Sequence, residues 1–202
     1  MPELIECEQY YDAEYVRGRE NLKWRFPSIL RAAFIIQERF RPKSVVDFGA
    51  ANGFYLVPFY EAGCRVCGVE GTAHWLDPMA RRIGRENCAI VDLRKLIDLG
   101  RKFELALCIE VLEHLEEGCA EMAVKNIVRH GKTLFVTASS RKGGFRHLNP
   151  QSKSYWVNLF GRNGAVFQKV LTDELQASFA VRSEVERLRW LREDLMIFEI
   201  EK

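Results

Sequence analysis

The 202-residue chain is 48% hydrophobic and 29% charged, proportions of a soluble globular protein with one sizeable core rather than a disordered one. Lys and Arg (30) nearly balance Asp and Glu (28), and the net charge of +2 gives no support for a nucleic-acid or membrane-surface partner. No stretch reaches the ~20 apolar residues of a membrane helix, and the acidic start Met1-Pro2-Glu3-Leu4-Ile5-Glu6 lacks a signal peptide's apolar run.

In chain order, residues 8–40 read as helical, with Trp24, Leu30, Phe34 and Ile35 at near-helical intervals, a break at Pro27-Ser28 and a stop at Pro42. Ser44–Phe48 reads as a strand, followed by a glycine turn and an apolar helix up to Glu61-Ala62-Gly63. Arg65–Glu70 is the second strand, and Thr72 is the N-cap of a helix over 73–84. Asn87–Val91 is the third strand and Phe103–Ile109 the fourth, its continuous apolar run predicting burial on both faces. A helix over 117–129, a strand at Thr133–Ala138 and a loop over 139–150 follow. Ser152–Asn163 is helical, Ala165–Val170 a strand, the basic stretch 172–192 helical, and Leu195–Ile200 a last strand.

Alternating strands and helices predict an α/β fold, a doubly wound and mostly parallel sheet. With no repeat or linker, the chain reads as one domain: a helical segment over 1–43, a ligand-binding half over 44–140 and a second half over 141–202. Cys7, Cys64, Cys67, Cys88, Cys108 and Cys119 are scattered, mostly in apolar surroundings, which fits a reducing, cytoplasmic compartment. Cys64-x-x-Cys67 is read as structural, because Cys67 falls in a core strand and no second pair has zinc spacing. No metal site is expected.

In open α/β sheets, ligands lie beyond the carboxyl ends of the strands. Acids mark four of these ends: Asp47, Glu70, Asp92 and Glu110. Carboxylates are depleted in strands, so this register is better explained by a ligand than by packing. Glu70 follows Asp47 by 23 positions, near the ~20-residue interval at which a strand-end acid meets a ribose diol. The turn between them reads Asp47-x-Gly49-x-x-x-Gly53, not G-x-G-x-x-G, with Ala51 where a middle glycine would fall. An acid heading that loop would repel a phosphate but accept from an ammonium group, and the glycines let a ligand approach the backbone. A ribose, a cationic amino-acid tail and no phosphate describe S-adenosylmethionine.

In "VVDFGAANGF", "VCGVEG", "AIVDLR" and "LALCIEVLEHLEE" the sequence resembles the class I S-adenosylmethionine-dependent methyltransferases, over about residues 44–140 and by element order to the end. The resemblance implies a Rossmann-like seven-stranded sheet whose last strand is antiparallel. It implies that Asp47, Gly49, Ala51 and Gly53, with Ala50 beside them, line the methionine part of the donor. Glu70, next to Gly71, would hold the ribose; Asp92 and Leu93 would flank adenine. Ile109 and Glu110, followed by Val111, would cover the donor near its reactive methyl.

For a hydroxyl acceptor a nearby base helps. His147, on the loop after the fifth strand, is the first candidate and His114 the second; imidazoles are largely unprotonated at neutral pH. Tyr155 and Trp156 are read mainly as core. The place after the fourth strand holds "CIEVLEHL" rather than the Asn/Asp-Pro-Pro-aromatic motif of nucleobase amine methyltransferases, so base methylation is disfavoured. Arg182, Arg187, Arg189 and Arg192 form either a solvated face or a steering patch for an anionic acceptor. The expectation is methyl transfer to an oxygen of a small molecule or glycan. Its rival is a non-catalytic S-adenosylmethionine-binding or scaffold protein; the glycine spacing serves an NAD-dependent dehydrogenase poorly. The sequence does not indicate an oligomeric state.

Overall fold

Ser44–Phe48 forms strand β1, buried along its whole length, Asp47 included. A computed structural model describes residues 11–201; Cys7 and the first residues of the expected 8–40 helical segment lie outside them. The chain divides into two units, residues 1–92 and 93–202.

In the first unit, helix α1 (Ala13–Glu20) is capped by Asp12, whose carboxylate accepts from the Tyr15 N–H at 2.8 Å. A short turn at Lys23–Arg25 leads into α2 (Phe26–Phe40). The break therefore falls before Phe26, not at Pro27-Ser28. Pro27 lies in the first turn of α2, where its missing N–H removes no helical hydrogen bond. Helix α3 (Val57–Glu61) leads to β2 (Arg65–Glu70), parallel to β1 with Asp47 opposite Gly68. Gly68 admits no side chain, since a Cβ there would meet Met79 Sδ at 2.3 Å. Thr72 caps the turn Ala73–Trp75, which continues as α4 (Leu76–Ile83). Strand β3 (Cys88–Ile90) pairs parallel with β2. Cys67 lies within β2, and the Cys64 thiol donates to the Pro42 carbonyl at 2.9 Å.

The second unit opens with β4 (Phe103–Ile109), buried on both faces for most of its length. Helix α5 (Glu117–His130) returns the chain to β5 (Gly131–Thr137), parallel to β4. Ser152 caps α6 (Lys153–Arg162), accepting from the Tyr155 N–H, and Trp156 is fully buried, as expected of core. Strand β6 is shorter than expected (Ala165–Phe167), and α7 (Lys169–Ala180) follows it.

The stretch read as one helix over 172–192 is instead α7, a turn at Ser183–Val185 and α8 (Arg189–Glu193). Val185, Leu188 and Leu191 are all buried, and their three-residue spacing suits tight turns better than a 3.6-residue helix. Strand β7 (Leu195–Ile200) pairs antiparallel with both β5 and β6. Its Phe198 stacks on Phe160 of α6 at 4.5 Å. Among the described residues the strands of the first unit run in the order 3-2-1, all parallel, and those of the second in the order 4-5-7-6, with β7 alone reversed.

Candidate functional site

In the first unit, β1 ends in a turn built on left-handed backbone. Gly49 (φ 78°), Ala51 (φ 48°) and Gly53 (φ 79°) all adopt positive φ, and the N–H groups of Gly49 and Ala50 donate to the Val69 carbonyl at 2.8 and 3.0 Å. Gly53 has a second constraint, because a Cβ there would meet Met79 Cγ at 3.2 Å. Ala51 is the costly member, since a Cβ makes this conformation unfavourable by about 1–2 kcal/mol. Glu70 holds it there: Oε2 accepts from the Ala51 N–H at 2.9 Å and Oε1 from the Gly71 N–H at 2.8 Å.

Asp47 is 3% exposed, and burial, then the nearby Glu70 charge, pushes its carboxyl up to about 8. Burial also raises Glu70, against the N–H groups of Ala51, Gly71 and Thr72, which favour its ionised form. Two adjacent acids beside a bare loop would favour positive charge and hydroxyl donors over a phosphate. These features fit a sulfonium nucleoside with an amino-acid tail.

A contact the sequence reading missed reinforces this loop. Glu20, the last residue of α1, accepts from Asn52 Nδ2 at 2.8 Å and from Arg82 Nη2 at 3.0 Å. The Arg82 guanidinium lies 4.0 Å from the Phe54 ring centroid, and Phe54 stacks on Phe26 at 4.1 Å. Charge spacing alone gives no signal that joins Glu20 to Asn52.

Asp92 follows β3 in the first unit, where the Val91 N–H donates to the Glu70 carbonyl at 2.9 Å. Leu93, buried, opens the second unit, and its carbonyl accepts from Asn126 Nδ2 at 3.0 Å. The same Asn126 side chain also bonds the Lys95 carbonyl and the Ile97 N–H, so one buried amide shapes the segment carrying Leu93.

At the end of β4, Ile109 pairs with Thr137, and Glu110 takes left-handed backbone (φ 56°). The Thr137 hydroxyl donates to Glu110 Oε1 at 2.9 Å, and burial raises the Glu110 carboxyl. Val111 precedes a tight turn, Leu112–His114, with its carbonyl accepting from the His114 N–H at 3.0 Å. Glu113, in the 112–114 turn, is fully buried. Burial, then Glu110, raises its carboxyl, and neither oxygen has a hydrogen bond of regular geometry.

His114 and His147 meet edge to face, with ring centroids 5.0 Å apart. The Asn149 N–H donates to the Glu113 carbonyl at 3.0 Å, tying the loop after β5 to the 112–114 turn. Each imidazole has Nδ1 on a carbonyl oxygen, Arg146 for His114 (3.1 Å) and Arg141 for His147 (2.9 Å). A carbonyl only accepts, so Nδ1 is the protonated nitrogen of each ring and Nε2 carries the lone pair. The arginines expected as one helical patch are scattered: Arg189 pairs with Glu193, and Arg192 donates to the Glu186 carbonyl.

A family model described as a methyltransferase domain matches residues 17–166. The ubiquinone biosynthesis O-methyltransferase of Chelativorans sp. (strain BNC1) is 29% identical over 134 residues, 61% of this chain and 49% of that protein. The chain therefore spans about half the length of that curated relative. Among solved structures, a TehB-like SAM-dependent methyltransferase from Corynebacterium glutamicum superposes with a TM-score of 0.65 at 14% identity, covering 93% of this chain and 97% of that one. The magnesium protoporphyrin IX methyltransferase (ChlM) of Synechocystis PCC 6803, with bound SAH, gives 0.54 at 18%, covering 68% and 70%. No helix among the described residues is long and apolar enough to cross a membrane.

Proposed function

The chain belongs to the methyltransferase domain family, and we propose that it moves the methyl group of its cofactor, S-adenosylmethionine, to an oxygen of a small molecule or glycan. Asp47, Gly49, Ala50, Ala51 and Gly53 would hold the methionine part, Glu70 and Gly71 the ribose, Asp92 and Leu93 the adenine. Ile109, Glu110 and Val111 would flank the methyl-bearing end. The donor, when bound, supplies a methyl on a positively charged sulfur; the protein's work is to align the acceptor and exclude water.

The observation that carries the oxygen reading is the tautomer of the histidine pair. His147 and His114 each place Nδ1 against a backbone carbonyl, so Nδ1 is the donor and Nε2 is the ring nitrogen able to take a proton. That is the state in which an imidazole handles the proton a hydroxyl must lose. The relative's name, an O-methyltransferase, points the same way. An anionic acceptor rests only on the charge of the arginines over 182–192, of which Arg189 and Arg192 already have partners. One working methyltransferase domain in a reducing, cytoplasmic setting completes the proposal.

The test is calorimetry with the donor, alongside release of the demethylated product over a panel of hydroxyl and amine acceptors. Asp47→Ala and Glu70→Ala are expected to abolish donor binding, and His147→Ala to bind donor and lose turnover. Normal donor affinity in both acid variants would overturn the assignment. A donor bound and never consumed by any acceptor would favour a non-catalytic binding protein.

A further inference from the structure

Three side chains of the second unit converge without a role in holding the donor. One ligand-type atom from each of Glu113, His114 and His147 lies within 4.8 Å of the others. The Glu113 carboxylate is 0% exposed, and neither oxygen has a hydrogen bond of regular geometry. A buried carboxylate left in this state is expensive, and such groups persist where a ligand satisfies them.

The histidines are prepared for the same ligand. Each donates Nδ1–H to a backbone carbonyl, the arrangement that fixes a ligating imidazole and raises its basicity. Left-handed backbone without glycine occurs at Arg146 (φ 51°), next to His147, and at Glu110 (φ 56°), three residues before Glu113. Such strain persists only where surrounding structure imposes it, and it gathers at functional sites. Gly144 is also required, since a Cβ there would lie 2.2 Å from His147 Nε2.

We propose that Glu113, His114 and His147 bind a divalent first-row transition cation. Two imidazoles and one carboxylate suit ions of the iron-to-zinc series and leave coordination positions open. An acceptor hydroxyl oxygen in an open position loses its proton to solvent more readily than in water. That oxygen then forms the new bond to the methyl carbon, and the carbon–sulfur bond breaks with its electron pair going to sulfur. With the cation bound, the histidine lone pairs act on the acceptor through the ion; the direct imidazole base is the route without it. This catalytic role rests on the methyl-transfer reading; cation binding does not.

The experiment uses full-length protein stripped with a chelator, dialysed, and titrated with Co²⁺ in the absence of donor and acceptor. Visible absorption, calorimetry and thermal unfolding follow the titration. One saturable site is expected, with a raised unfolding midpoint. His147→Ala and Glu113→Gln are each expected to weaken Co²⁺ binding at least ~10-fold. Thermal unfolding of the stripped variants checks their folding, and His147→Ala, on a loop, keeps the test valid if the buried substitution unfolds. Absence of saturable Co²⁺ binding in the wild type, or equal affinity in a folded variant, overturns the site. Donor calorimetry on the same samples separates the two readings: donor bound without Co²⁺ binding sinks the cation site alone, and Co²⁺ bound without donor sinks the methyl-transfer reading alone.

Discussion

Ala51 and Glu70 are joined by a 2.9 Å hydrogen bond from a left-handed backbone N–H to a carboxylate oxygen, which fastens the turn after β1 to the tip of β2. The other oxygen takes the Gly71 N–H, so one side chain organises both loops. Glu70→Ala should therefore cost about 1.5–3 kcal/mol of stability, besides losing the donor. Glu70→Gln should fall between, because its amide keeps one accepting oxygen. Urea unfolding beside donor calorimetry checks both, and an alanine variant of wild-type stability would contradict this role.

Ala51→Gly should stabilise the protein. Relief of the left-handed penalty outweighs the greater freedom of glycine in the unfolded chain, with a net gain of about 0.5–1 kcal/mol. Denaturant unfolding would show a higher midpoint with an unchanged slope, and donor affinity should be no weaker.

Asp47 gives a pH dependence of definite sign. Its carboxyl is raised to about 8 by burial and then by Glu70, against ~3.9 in an unfolded chain. Between those values the folded protein keeps a proton that the unfolded chain releases. Its contribution to donor-free stability is full below ~3.9 and is lost as pH rises through about 8. Asp47→Asn should flatten this fall. A cationic donor tail favours the ionised carboxyl, so wild-type affinity should strengthen with pH over the same window, with protons released on binding. Calorimetry in two buffers of different ionisation enthalpy measures that release; a zero result would separate Asp47 from the donor's charge.

Glu20 is predicted to support the glycine turn from outside. Its carboxylate, 22% exposed, spans Asn52 and Arg82. Glu20→Ala should cost about 1 kcal/mol and show a coupling of about 0.5–1 kcal/mol with Arg82→Ala in a double-mutant cycle. Strict additivity would mean that the pair does not act together.

Where the chain's own neighbours settle a structure, the sequence was readable. The strands Ser44–Phe48, Arg65–Glu70, Phe103–Ile109 and Leu195–Ile200 lie where their apolar runs placed them. Proline, glycine or charged residues flank those runs, and strand–helix alternation leaves few topologies. The cofactor was read from acids placed at successive strand ends, and the methyltransferase fold from the resemblance that those motifs carry. What was not readable depends on residues joined only by folding. Glu113 looks like an exposed acid at a helix start, and its burial comes from the 112–114 turn and the Asn149 bond. His147 becomes a neighbour of His114 only when the loop after β5 folds back, which is why no metal-ligand spacing was visible. Pro27 misled because proline both breaks and opens helices.

The placement of β7 sets an order of assembly. Strand β6 pairs with β7 and β5 pairs with β7, so Leu195–Ile200 wedges between two segments made before it. Until Leu195–Ile200 has left the ribosome, Ala165–Phe167 has no strand to lie against, and Thr133–Thr137 keeps an open, aggregation-prone margin. Folding of this half therefore waits on the strand made last among these three, which closes it like a keystone.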